Sequence, residues 1–346
     1  MLKLLKYSFI VGCTAALAGC GSGDSGTRTT VSVTGSSTVY PFASAVAEVT
    51  AANNKGIKTP KVESIGSGAG IDQFCAGIGS ATPDVANASR RMKKSEFEKC
   101  QTNGVKEIIE VQVGIDGIAF ASAKGAAEIK LTPVDIYKAI AANPFGKPNT
   151  AKTWKDVNPA LPAEPILVYG PPTTSGTRDA LAELILTEGC KTDEATGALK
   201  ETDKAKYKAI CTEVREDGLY VDGGEQDNLI VKKIAENPKA IGIFGFSFLE
   251  ANMDTLKGII IGGVIPSYDN IVGGSYPGSR PLYIYVKKAH LPVIKGLKEF
   301  LGEWPKAWGA DGLLKEKGMV VSPEDVRKTN ADIVAGLTIL TGEGLK

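Results

Sequence analysis

Three short stretches of the chain share one construction: small, hydroxyl-bearing residues between a strand-like run and a helix-like one. They are Gly35-Ser36-Ser37-Thr38-Val39, Gly66-Ser67-Gly68-Ala69-Gly70 and Thr174-Ser175-Gly176-Thr177-Arg178. A helix start exposes unpaired backbone N–H groups and about half a positive charge, so it draws anions. Glycine lets the backbone approach closely, and serine or threonine adds donors. One such turn serves equally well as a plain helix cap. Three in one chain point to a shared oxyanion pocket. Two arginines strengthen that reading: Arg90 follows a small, strand-like Ala-Asn-Ala-Ser run, and Arg178 follows the third turn directly. A guanidinium fork matches a tetrahedral oxyanion with two parallel hydrogen bonds. Arg91, Lys93 and Lys94 read instead as a solvated face.

Other chemistries fail on detail. The stretch Gly66 to Ile71 begins like a dinucleotide fingerprint, but Ile71 stands where the third glycine belongs. No Gly-x₄-Gly-Lys-Ser/Thr loop is present. A serine hydrolase would need Gly-x-Ser-x-Gly and a base. The chain's single histidine, His290, lies in a lysine-rich turn and reads as a surface residue. No nucleophile with an activating base is apparent, and no cofactor or metal site is expected. Lysine plus arginine total 40 against 39 acidic residues, which argues against nucleic-acid binding.

These residues need elements to hold them. At 346 residues the chain exceeds the roughly 250–300 that one core usually organises, so two domains are expected. Val31 to Thr34 alternates as a strand, and a helix follows with Phe42, Ala45, Val46 and Val49 on one face, Ser37 or Thr38 at its cap and Pro41 in its first turn. Val62–Ile65 reads as a strand and Ile71 as a helix start. Ser95 with Glu98 reads as a capping box. Ile166–Tyr169 reads as a strand, followed by a helix carrying Leu181, Leu184 and Ile185. A helix over 227–237 turns Ile230, Val231 and Ile234 inward and stops at Pro238. Strands are expected at 240–244, 259–261 and 282–286, and helices over 291–308 and from a cap at 322–324 to Leu340. Strands alternating with helices throughout mean an α/β fold.

Lys3 and Lys6 precede eleven mostly apolar residues from Tyr7 to Leu17, as in a secretory signal. That is too short for a membrane span, which needs about 20 residues. Leu17-Ala18-Gly19-Cys20 resembles a bacterial lipoprotein signal, in which the cysteine is acylated and begins the mature chain. Residues 1–19 are then the signal peptide and 20–30, rich in glycine, serine and threonine, a flexible tether. Loss of the two leader lysines leaves 38 basic against 39 acidic residues. Four cysteines remain beyond the lipid site: Cys75, Cys100, Cys190 and Cys211. An even number in an exported chain reads as disulfides. The sequential pairing is favoured because each bridge stays within one half of the chain. Zinc is the rival reading, but no Cys-x₂-Cys pair supports it.

Taken in order and spacing, the three turns, Ala88-Ser-Arg90, Ala240-Ile-Gly242 and Ser279-Arg-Pro-Leu-Tyr-Ile284 resemble the phosphate-binding lipoproteins of Pst-type ABC importers. The likeness runs from about Val31 to Lys346. It implies a type II periplasmic-binding-protein fold: two α/β lobes joined by two hinge strands, near 115–120 and 281–286, with the ligand between them. Lobe I would be 31–114 plus 281–346, and lobe II 115–280. The resemblance implies that inorganic phosphate is held by Ser37, Thr38, the Val39 N–H, Ser67, Arg90, Ser175, Gly176 and Thr177, and Arg178, directly after the third turn, is expected as a ligand with them. It further implies no enzymatic activity, a permease partner, an exported, periplasmic, lipid-anchored location and a monomer. One departure matters. The best-known members carry an aspartate after Ala-Ser, which accepts the proton of hydrogen phosphate and rejects sulfate; here that residue is Arg90, a rearrangement seen in other branches of the family. Their arginine ahead of the third turn is replaced by Pro171. Asp72, Glu225 and Asp227 are the candidate substitute acceptors. A sulfate-like receptor, a phosphate sensor and an exported phosphatase are the alternative readings.

Overall fold

The computed structural model describes residues 28–224 and 226–346. The proposed leader, Cys20, the tether up to residue 27 and Glu225 lie outside the described residues. Among the described residues no helix is long and apolar enough to cross a membrane.

The short apolar runs form strands β1 (Ser32–Gly35), β2 (Lys61–Ser64), β3 (Val85–Ala88), β4 (Ile108–Ala123), β5 (Lys130–Leu131), β6 (Val168–Gly170), β7 (Tyr220–Asp222), β8 (Ile241–Gly245), β9 (Leu256–Gly258), β10 (Ile260–Ile261) and β11 (Ser279–Lys287). Nine of them make one mixed sheet in the order β2-β1-β3-β11-β4-β8-β6-β7, with β9 also on β4; β5 and β10 pair separately. The parallel pairs β1–β2, β1–β3, β6–β7 and β6–β8 reflect helical crossovers between consecutive strands. β4 is the spine. Its residues 108–117 pair with β11, and its residues 118–121 pair with β8. It is buried along nearly its whole length.

Two cores lie on either side of that switch. The first collects Val33, Val46, Val111, Ile284, Phe300 and Trp304, with a satellite around Ile71, Phe74 and Tyr285. The second collects Ile136, Tyr137, Leu181, Ile230 and Phe244. The fold is therefore the expected two-lobed α/β architecture. β11 from Leu282 onward packs wholly in the first core, whereas Tyr276 packs in the second. Both sequential disulfides are present: Cys75–Cys100 in the satellite and Cys190–Cys211 in the second core.

Several local expectations shift. Helix α1 (Tyr40–Asn53) is capped by Val39, without a side-chain bond from Ser37 or Thr38. Helix α2 (Ser67–Phe74) starts four residues before Ile71, because Gly66 at φ 89° turns the chain directly into it. Helix α3 (Lys94–Thr102) takes Glu96, not Glu98, as its capping acid, since the cap is Lys93 and Ser95 is already helical. The 291–308 helix begins only at Leu297, after Gly296 at φ 91°. The last helix stops at Gly336 rather than Leu340, with Leu337 left-handed. His290 is buried, not on the surface: its Nδ1 meets Asp84 Oδ1 at 2.6 Å and its Nε2 meets the Ile78 carbonyl at 2.8 Å. Neighbouring lysines suggested solvent, but the same segment returns to the sheet and carries the ring inside.

Candidate functional site

Lobe I presents its turns as one block. The Ile65 and Gly66 N–H groups both donate to the Gly35 carbonyl at 2.9 Å, and Ser36 N–H donates to the Asn87 carbonyl at 3.0 Å. Two glycines make the approach possible. A Cβ on Gly35 would stand 2.1 Å from Asn87 O, and one on Gly70 would stand 2.4 Å from Gly35 Cα. Gly35 also has φ 138°, a conformation open to glycine. Ser67 Oγ receives the Ser89 N–H at 3.1 Å and lies 3.0 Å from Ser89 Oγ. The second turn is thereby tied to the segment leading into Arg90.

Lobe II brings its turn to meet this block. Ser175 caps the helix Gly176–Ala180, its Oγ accepting the Thr177 N–H at 3.2 Å. A Cβ on Gly176 would fall 3.1 Å from Thr38 Cα, so the two turns confront each other directly. Ser37, Thr38, Ser175, Gly176 and Thr177 line one cavity of about 390 Å³, closed at the hinge by Asp116 and Gly117. Because Val39 makes the α1 cap, the Ser37 and Thr38 hydroxyls are left to face this cavity. Val39 itself is buried, with its N–H directed at Ser36 Oγ at 3.4 Å.

The arginines divide differently from expectation. Arg90 closes its fork on Glu96, at 2.9 and 2.6 Å, which holds its pKa above the ordinary arginine value. It stays beside the second turn, its Nη2 3.8 Å from where a Gly68 Cβ would be. Arg178 turns away from the Thr38 turn. It donates to the Pro171 carbonyl at 3.1 Å and to Tyr220 Oη at 3.0 Å, and its guanidinium lies 4.9 Å over the Tyr220 ring. Burial pushes Tyr220 up to about 12 against the opposing pull of Arg178. Arg91 pairs with Glu110 on the exposed side.

One arginine emerges that motif reading passed over. Arg280 Nη2 donates to Thr38 Oγ1 at 2.9 Å, and its Nε donates to Asp116 Oδ2 at 3.2 Å. Its Nη1 reaches Glu183 of lobe II, and Asp179, one turn earlier on that helix, accepts from the Ser37 hydroxyl. The only forewarning was its place in the Ser279–Ile284 signature. Burial raises the Asp116 pKa, with Arg280 opposing. Of the candidate acceptors, Asp72 pairs with Lys99 on the surface. Asp227 lines the cavity and accepts the Gly245 N–H at 3.1 Å.

A PBP superfamily domain model matches residues 21–304. The chain is 31% identical over 300 residues to a phosphate-binding protein PstS of Staphylococcus saprophyticus, covering 84% of this chain and 82% of that one. It is 32% identical over 269 residues to the protein SphX of Synechococcus elongatus, covering 75% and 69% respectively. Among solved structures, a possible phosphate binding protein from Planctomyces limnophilus superposes with a TM-score of 0.72 at 28% identity, covering 89% of this chain and 98% of that one.

Proposed function

This chain belongs to the PBP superfamily, among the relatives of the PstS phosphate-binding proteins, and from that premise we propose that it is a non-enzymatic receptor for inorganic phosphate serving an ABC importer. The observation that carries the reading is the meeting of the Thr38 turn and the Ser175–Thr177 turn, one from each lobe, across a single cavity at the hinge. An anion between them gathers donors from both lobes only when the lobes are closed, so binding and closure are one equilibrium. The proposed ligands are Ser37, Thr38 and the Val39 N–H with Ser67 from lobe I, and Ser175, Gly176 and Thr177 from lobe II. Arg90 adjoins them, and its bonds to Glu96 and the Arg91 carbonyl leave two of its five N–H donors for the anion. Arg178 is proposed as a support for the third turn through Tyr220. Lobe I is taken as 31–114 with 281–346 and lobe II as 115–280, a division supported by the two separate cores. Export, acylation at Cys20 and action as a periplasmic monomer complete the proposal, supported by the leader sequence and the paired cysteines.

Calorimetric titration of phosphate into stripped protein, alone and in excess sulfate, tests the reading. Binding that survives sulfate is the expected outcome. Absence of heat with phosphate sinks the receptor reading, and displacement by sulfate turns it into a general oxyanion receptor. Turnover of a chromogenic phosphate ester would favour the phosphatase instead. With Arg90 in the acceptor's place, discrimination falls to the cavity carboxylates Asp116 and Asp227. A carboxylate facing a fully deprotonated oxyanion makes a repelling, unpaired contact. Replacing each in turn by asparagine should show which one excludes sulfate.

A further inference from the structure

We infer that Arg280, which lies on neither the three turns nor the Arg90 segment, is the guanidinium ligand of the anion in the cleft, and that Glu183 holds its place while the anion is absent. The inference rests on the receptor reading above. Arg280 stands opposite Asp116 in the β4–β11 register, one residue from the point where β4 leaves that pairing for β8. It is thus fixed where β4 passes from one set of partners to the other, against Thr38 and Asp116 of the cavity lining. Its side chain is 9% exposed and that of Asp116 14%, whereas Glu183 is 58% exposed. Two carboxylates therefore hold the same guanidinium, but only one is built into the strands. The other reaches in from the rim of lobe II.

A guanidinium carries five N–H donors. Three are engaged, by Asp116, Thr38 and Glu183, so two remain and release of Glu183 frees a third. Thr38 Oγ1, having accepted from Arg280, keeps its own proton for an anion oxygen. Asp179 repeats the pattern one helical turn earlier, taking the Ser37 hydroxyl. Two carboxylates of one continuous helical run, 176–186, thus occupy a hydroxyl of lobe I and a guanidinium at the boundary between the lobes, as the oxygens of a bound oxyanion would. Exchange conserves charge at Arg280, since one anionic partner replaces another while Asp116 stays. Glu183 is mostly exposed and water takes up its carboxylate on release, while Asp116 still pairs the buried guanidinium, so its loss is a small obstacle. Neither Arg90, closed on Glu96, nor Arg178, stacked on Tyr220, is so placed.

The test is phosphate calorimetry on wild type, Arg280→Gln, Arg280→Lys and Glu183→Gln, with thermal melts to confirm folding. Arg280→Gln should bind about 100-fold more weakly and Arg280→Lys by less, because the ammonium keeps the charge but not the fork. Glu183→Gln should bind about two- to fivefold more tightly, since its competing charge is gone. Arg280→Gln within twofold of wild type overturns the ligand assignment, and Glu183→Gln unchanged or weaker overturns the exchange. A measurement on the unmodified chain stands beside these, in case a variant does not fold. In ¹⁵N spectra of arginine side chains, phosphate should move one Nε–H resonance that is missing from Arg280→Lys, and no moved resonance at saturation overturns the assignment. A wild type that takes up no phosphate brings down the receptor reading and this inference with it. Binding that Arg280→Gln leaves intact brings down only the inference.

Discussion

At the scale of single residues, what a polar side chain can do is set by what already occupies it. Thr38 is 5% exposed and receives one Arg280 N–H, leaving its hydroxyl hydrogen at the cavity. Thr38→Val keeps the shape and removes the hydroxyl. Phosphate affinity should fall about 10-fold in calorimetry, the scale of one charge-assisted hydrogen bond. Arg178→Met should do the reverse. It loses the Tyr220 and Pro171 contacts, so its melting temperature should drop while phosphate affinity stays within about twofold of wild type, the affinity a supporting residue leaves in place. A loss of binding as large as that of Thr38→Val would return Arg178 to the ligand set.

At the scale of elements, the first two lobe I turns meet through close backbone contact at two glycines. A methyl group at Gly35 or Gly70 meets backbone atoms at 2.1 and 2.4 Å, and backbone cannot step aside as a side-chain end can. Gly35→Ala and Gly70→Ala should each cost about 2–3 kcal/mol or more in urea unfolding and weaken phosphate binding as the block separates. Gly79→Ala is the matching control, with open space around its added methyl and no positive φ, and it should leave both properties unchanged. Equal behaviour of all three variants would mean that the block tolerates separation.

At the scale of the whole molecule, the two lobes carry separate cores, each with its own crosslink. Paired serine substitution of Cys75 with Cys100, or of Cys190 with Cys211, should lower unfolding stability by about 3 kcal/mol in the chain-entropy account, read as a fall in the urea midpoint. An unchanged midpoint would count against a structural role for that bridge. Lobe I also holds a buried cation. Lys287 donates to the Gly77 carbonyl at 2.6 Å and to Thr82 Oγ1 at 2.7 Å, and burial pulls its pKa down to about 8, with Asp84 opposing. The folded value lies below the lysine reference of 10.5, so between these values the unfolded chain binds more protons and stability rises with pH. The urea midpoint should therefore climb from pH 8 to about 9.5, below the range of the tyrosines, and Lys287→Met should flatten the climb. A wild-type profile no steeper than that of the variant would refute the assignment.

Local order was legible from the chain itself. Hydrophobic periodicity marked β1, β8, β11 and the helix Asp227–Glu236, and turn chemistry marked all three hydroxyl turns. Cysteine parity and spacing anticipated both bridges. Boundaries were less legible where a single glycine conformation, as at Gly66 and Gly296, decided where a helix begins. What the tertiary structure alone decided was partnership. Arg178 reads as a ligand from its neighbours in sequence, and the fold gives its guanidinium a further partner in Tyr220, 42 residues away. Arg280 stood within the Ser279–Ile284 signature but without a role to read there, because its partners Glu183 and Thr38 stand 97 and 242 residues off. His290 was misread as a surface residue for the same reason, its partner Asp84 being 206 residues away. Propensity and capping act within a few residues and leave their record in the local sequence. The choice among several equally charged side chains depends on which carboxylate, ring or hydroxyl the closed sheet carries to within 3 Å, and that is settled only when the lobes are packed.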